Sequence, residues 1–175
     1  MKKILSYSLL AGLLAVSMQS CKPDNDFTIG QPQNRLQQLA GTWRLQSVIQ
    51  TDLNAKNNNY TDAARPDINV QQMDITSAAP FTDLKLTFAQ GADNVPTTFA
   101  VDYGAAPKIF KNAAGTWMVD NLATPGAVKF MNGSDTIQVK LGNVSNLSSN
   151  KLTLIRIKSQ GSKPKIQYDY NFIKL

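Results

Sequence analysis

A period of two runs through most of the chain from Thr42 onward, and it restricts the fold more than any other feature. In "DLKLTFA" (Asp83–Ala89), Leu84, Leu86 and Phe88 fall on one face, against Asp83, Lys85 and Thr87. "DTIQVKLG" (Asp135–Gly142) sets Ile137, Val139 and Leu141 against Thr136, Gln138 and Lys140. The last stretch, "KIQYDYNFIKL" (Lys165–Leu175), sets Ile166, Tyr168, Tyr170 and Phe172 against Gln167, Asp169 and Asn171. The same spacing groups Trp43 with Leu45, Phe99 with Val101 and Tyr103, Trp117 with Val119, and Val128 with Phe130. Successive side chains of a strand point to opposite faces, so this is the signature of antiparallel strands with one buried and one wet face. "KLTLIRIK" (Lys151–Lys158) is apolar on both faces in its middle.

The breaks carry turn chemistry: "QGADNVP" (Gln90–Pro96), "NLATPG" (Asn121–Gly126), "NGSD" (Asn132–Asp135) and "QGSKP" (Gln160–Pro164). This spacing predicts about eight strands, almost all joined by short links. An all-β, up-and-down antiparallel barrel satisfies it. A β-sandwich is the alternative, because Ig-like arrangements also use short, turn-punctuated strands. One pairing separates the two: in a barrel the last strand pairs with the first. The one long link runs from Thr51 to about Thr82, a length more typical of lids and binding loops than of simple connections. Within it "PDINVQQMDI" has room for a short helix or an extra strand. Ahead of the first strand, Asn34 is placed to cap a short helix turn through "RLQQLAG", with Leu36 and Leu39 on one side and Gly41 ending it.

The N-terminus has a different character. Met1-Lys2-Lys3 is a positive start, and "ILSYSLLAGLLAV" (Ile4–Val16) is an apolar run shorter than the roughly 20 residues that span a bilayer. Small residues follow, then Cys21, the only cysteine in the chain. Order and spacing are those of a bacterial lipobox, "SMQSC", in which the cysteine sulfur is acylated and begins the mature protein. Residues 1–21 are therefore expected to be a lipoprotein signal peptide, 22–33 a tether, and 34–175 the barrel domain. Several acyl chains on Cys21 would hold the protein firmly at a membrane, at about 0.8 kcal/mol for each buried CH₂.

Composition narrows the function. The chain has 42% hydrophobic residues, enough for a core. Of its 18 basic residues two lie in the signal segment, leaving 16 against 12 acidic ones, spread without a patch. Nucleic-acid binding, which calls for a basic stripe, is not expected. There is no histidine, and every acidic residue is an aspartate. Cys/His zinc sites and Ser-His-Asp or Cys-His catalysis are excluded on residue types alone. No cofactor or metal is implied. Asp102 and Asp120 fall near strand ends on wet faces, but no spacing makes them a catalytic pair, and a non-catalytic protein is expected.

The whole order resembles the lipocalin-like domains of Bacteroidota lipoproteins, of the type called domain of unknown function 5004. That order is signal, tether, helix turn, "LAGTWRLQSV", long loop and strand meander. The resemblance covers Leu36 to Leu175. It is carried by Gly41 and Trp43, "PFTDLKLTF" (Pro80–Phe88), "GTWMVD" (Gly115–Asp120), "KLTL" (Lys151–Leu154) and the alternating last strand. It implies that Trp43 closes one barrel end beneath a basic side chain from a late strand, Arg156 or Lys174. Gly41, Trp43 and Arg156 are the structural residues expected there. It also implies that "CKPDNDF" (Cys21–Phe27) acts as a surface-export signal, giving an outer-membrane lipoprotein facing the cell exterior, with the periplasmic face as the alternative.

Two function classes follow. A binding module would take a glycan or a small apolar ligand at the barrel mouth, with Tyr60, Phe81, Phe99, Tyr103 and Trp117 as candidate lining. A structural or accessory protein would have a packed barrel and meet an envelope protein partner through its surface or the long first loop. Small barrels are often filled completely, and bulky inward residues on every strand favour a core role for these aromatics.

Overall fold

The computed structural model describes residues 34–54 and 72–175; Cys21, Tyr60 and the proposed signal and tether lie outside the described residues. Helix α1 (Arg35–Leu39) is a single turn whose N-cap, Asn34, accepts the Gln37 N–H on its side chain at 3.1 Å. Among the described residues nine strands follow: β1 (Gly41–Asp52), β2 (Gln72–Asp74), β3 (Lys85–Gln90), β4 (Pro96–Asp102), β5 (Ala114–Val119), β6 (Ala127–Asn132), β7 (Asp135–Leu141), β8 (Lys151–Gln160) and β9 (Lys163–Lys174). Every pairing is antiparallel.

The order is β2-β1-β3-β4-β5-β6-β7-β8-β9, and β9 returns to pair with β1. That pairing spans Trp43↔Lys174 to Asp52↔Ile166 and closes an eight-stranded barrel, so the sandwich alternative falls. The three-residue β2 lies along the second half of β1 (Ile49–Thr51), where β3, paired to Gly41–Arg44, has already left it. A bulge at Gln46 shifts the inward face of β1 from Trp43 and Leu45 to Val48. Such a one-residue insertion bends the strand and raises its twist, as barrel closure requires.

The alternating apolar residues form one core, with Leu45, Leu86, Val128 and Leu154 fully buried. Burying each such side chain contributes about 1.5–3 kcal/mol. Phe88, Phe99, Phe110, Phe130 and Trp117 stack within it, the Phe99–Phe130 centroids 4.7 Å apart in an edge-on arrangement. Phe110 is a surprise of the fold. It lies between β4 and β5 in a segment without strand alternation, yet that segment buries Ala106, Ile109 and Phe110 and so completes the core.

The seams are uneven. The β7–β8 ladder holds two residue pairs, Lys140↔Ile155 and Leu141↔Leu154. The β4–β5 ladder holds three, from Thr98↔Thr116 to Ala100↔Ala114. The strands alternate in direction, so the barrel has an α1 end and a far end. The α1 end carries the β3–β4, β5–β6 and β7–β8 links. The far end carries the Ile75–Leu84 segment, the 103–113 segment and the β6–β7 and β8–β9 hairpins.

Gly115 is fixed by close approach. A Cβ there would sit 2.0 Å from the Met131 carbonyl oxygen of β6 and 3.0 Å from a Phe99 ring carbon. Backbone cannot yield as a flexible side chain can, so β5 would have to leave β6. Gly115→Ala is expected to destabilise the domain by about 2–3 kcal/mol, in the range for overpacked cores, measured by urea unfolding. Gly133→Ala, at a hairpin with nothing within 4 Å of the added atom, controls for strain at a positive φ alone.

Candidate functional site

The α1 end is closed by Trp43. Its Nε1–H donates to the Leu39 carbonyl at 2.8 Å, tying the first strand to the helix turn. Lys174 lies over the indole, with Nζ 5.2 Å from the ring centroid, and donates to the Gln38 carbonyl at 2.9 Å. Burial of the ammonium pulls the Lys174 pKa down. Gly41 makes room for it: a Cβ there would come within 2.9 Å of the Lys174 Cε, and its φ of 111° disfavours any other residue. Of the two basic residues expected to cover Trp43, Lys174 holds the position. Arg156 does not reach it; it is on the far half of β8, where Nη1 donates to the Ile109 carbonyl.

The five candidate lining residues do not form one site. Tyr60 lies outside the described residues. Phe99 and Trp117 are buried in the aromatic core, 2% exposed each. Phe81 is buried in a 3₁₀ turn (Phe81–Asp83) at the far end. Only Tyr103 is part-exposed; its hydroxyl donates to the Phe110 carbonyl at 2.9 Å. It belongs with Arg156, Tyr168 and Tyr170 in the far half of the barrel, a grouping that the alternation of β8 and β9 makes legible only once Arg156 is assigned an inward position. Tyr168 and Tyr170 stack at 6.2 Å, and Lys158 lies 5.3 Å over Tyr168. Burial raises the pKa of both Tyr103 and Tyr170, opposed by the positive Arg156.

An apolar opening lies on the wall. Below Thr98↔Thr116 the β4–β5 ladder stops, and an apolar slot of about 620 Å³ separates the strands. Val95, Pro96 and Leu122 form its lip, Met118 and Met131 its side, and Trp117 its floor. Trp117 seals the slot from within by donating Nε1–H to the Ala89 carbonyl at 2.7 Å, at the bulge where β3 and β4 change register. The Asp120 N–H bonds the Ala127 carbonyl on β6, so alternation turns the backbone groups of Trp117 and Val119 away from β6, towards the slot. Val95 is 57% exposed, Met118 43% and Leu122 70%. By sequence Val95 and Leu122 belong to turns, and the one signal available is a branched aliphatic side chain inside each of those two turn segments.

Asp102 and Asp120 sit at opposite barrel ends and are not a pair. Asp102 accepts the Gly104 N–H at 3.1 Å. Asp120 holds the β5–β6 turn that carries Leu122, its Oδ1 accepting the N–H groups of Asn121, Gly126 and Ala127, each at 2.9 Å. Those bonds, Ala127 and Gly126 foremost, hold its pKa below the ordinary aspartate value.

Fold and site together define a closed eight-stranded antiparallel barrel with an aromatic core, a lysine-capped tryptophan at one end and an apolar slot in its wall. The chain belongs to the family described as domain of unknown function (DUF5004), whose model matches residues 17–173. No curated protein matches it.

Lys174→Met should remove the cation–π contact and the bond to Gln38 while keeping the aliphatic stem. The expected cost is about 1 kcal/mol in urea unfolding. Asp120→Asn tests the turn through pH. A carboxylate with a depressed folded pKa stabilises above its unfolded value, about 3.9, and the stabilisation is lost as pH falls through the folded pKa. Wild type should therefore melt higher than Asp120→Asn at pH 7, with the difference closing below about pH 4. A difference unchanged at pH 3 would show that the charge is not what holds the turn.

Proposed function

We propose that this protein is a lipid-anchored lipoprotein of the cell envelope whose barrel is a non-catalytic binding or accessory module. Anchoring is assigned to Cys21, after a signal peptide of residues 1–21. The outer membrane of a Bacteroidota cell is the proposed location, with the acidic "CKPDNDF" directing the protein to the cell surface. The observation that carries the binding role is the apolar wall slot between β4 and β5. Contiguous exposed apolar surface on a soluble domain marks contact with a ligand, partner or membrane. The slot lacks any charged lining residue, which favours a small apolar ligand over a glycan. The packing of Phe99 and Trp117 into the core directs the search to the wall rather than the barrel axis.

The alternative is an interaction protein that meets an envelope partner through its surface. Val95 and Leu122, standing out from the slot's lip, favour that reading over one based on the long first loop.

Two measurements test the proposal. Cells expressing the chain should incorporate labelled palmitate into it and lose the label in Cys21→Ala, with surface protease removing the anchored protein from intact cells. Native mass spectrometry of the purified protein should then show a bound apolar species that disappears in Leu122→Asp. An unlabelled Cys21 chain would end the anchoring reading, and an empty protein with no thermal shift across apolar ligands would end the small-ligand reading.

A further inference from the structure

The slot is not placed at random on the wall. It opens at the α1 end, where the chain enters the domain: Gln90, at the end of β3, donates to the Leu36 carbonyl of α1 at 2.6 Å, and the β3–β4 link beside it supplies Val95. The β5–β6 link, which supplies Leu122, is at the same end. The last residue, Leu175, is there too, 65% exposed and bonded through its N–H to the Thr42 carbonyl. Twelve residues, 22–33, separate the described domain from Cys21. Whatever its conformation, a segment of twelve residues spans at most about 43 Å. An anchor at Cys21 would thus hold this end, with its exposed aliphatic side chains, close to the bilayer surface.

We propose that the α1 end is a membrane-contact face and that the β4–β5 slot takes the acyl chain of a bilayer lipid. This rests on the anchoring through Cys21 proposed above. The chemistry of the slot fits an alkyl chain: two methionines, two valines, a leucine and a tryptophan, with threonine hydroxyls as its side-chain polar groups. Methionine adapts its shape to an irregular apolar partner. Of the carboxylates in the two links, Asp120 is already satisfied by three backbone N–H groups and Asp93 lies in the turn before Val95, while Arg35 and Lys151 stand at the same end, where lipid phosphates would meet them. A peptide strand added to the open ladder is the rival occupant. It would use the backbone groups of Trp117 and Val119 and would be indifferent to lipid.

The chain has two tryptophans, so Trp43→Phe leaves Trp117, the slot floor, as its only indole. The processed, acylated protein carrying Trp43→Phe is reconstituted into phosphatidylcholine vesicles with or without bromine on the acyl chains. The expected result is loss of Trp117 emission in brominated vesicles only. Val95→Asp with Leu122→Asp, both in exposed links, should abolish that loss without changing the circular dichroism spectrum. Met73→Asp, also exposed but at the far end, should leave it intact. An anchored protein whose emission ignores bromine, or quenching that survives the double substitution, overturns the slot and leaves the anchor standing. If Cys21 proves not to be acylated, the anchoring reading fails separately. The unacylated chain added to the same vesicles from solution then decides the slot by the same loss or its absence.

Discussion

Closure of β9 onto β1 is the constraint from which the rest follows. An open sheet of this size would leave two strand edges with unpaired N–H and C=O groups, and closing the ring removes both. To close it, β1 must bond on two sides along most of its length. It does so by pairing with β9 on one edge and sharing the other between β3 and β2. The register of that closure also sets Trp43 opposite Lys174. The cation over the indole is thus a product of strand alignment. Gly41, two residues earlier, is the vacancy that lets the lysine side chain pass. The Gly-x-Trp pattern and the penultimate lysine form one device, separated by more than 130 positions in the chain.

The two halves of the barrel are stabilised by different chemistry. Near α1, indole N–H groups of Trp43 and Trp117 cap backbone carbonyls while their rings fill space. Both are buried polar donors that would be costly if left unpaired, and each finds a carbonyl freed by irregular backbone: the helix turn for one, the β3 bulge for the other. In the far half the inward residues become tyrosine and arginine, and the partner carbonyls come from the 103–113 segment, which lies where β7 and β8 have parted.

Much of this was legible in the residues. Inward faces follow the alternation from Leu84 to Phe88, from Ile137 to Leu141 and from Ile166 to Phe172, because burial of one sheet face dictates a period of two. Asn34 was legible as a cap because an Asx side chain reaches the third N–H of a helix. The misses have physical causes. The 103–113 segment buries Ile109 and Phe110 without periodicity, so no pattern announced it. Arg156 and Lys174 both sit on inward positions of late strands, and only strand register, a long-range property, separates them. The aromatics proposed as a mouth were assigned by residue type. Type cannot tell whether a ring lines a space or fills it: Phe99 fills the core, whereas Trp117 packs into the core and also lines the wall slot. The slot was invisible because it arises from a ladder that stops early, a property of two strands jointly.

The positions of the chain ends have a further meaning. Leu175 bonds to Thr42, and Lys174 reaches Gln38, so the last strand finishes beside the residues that begin the domain. In a cyclic sheet no strand is first by geometry; the chain merely has a cut, and here it falls between β9 and α1. A short peptide joining Leu175 to Asn34 would heal that cut. New ends could then be opened at the Gly133 or Gly161 turn, where an added atom meets nothing. Every strand pairing would survive such a circular permutation. The point of departure towards Cys21 would then move to the opposite rim, and under the anchoring proposed for Cys21 the rim turned to the membrane would change with it.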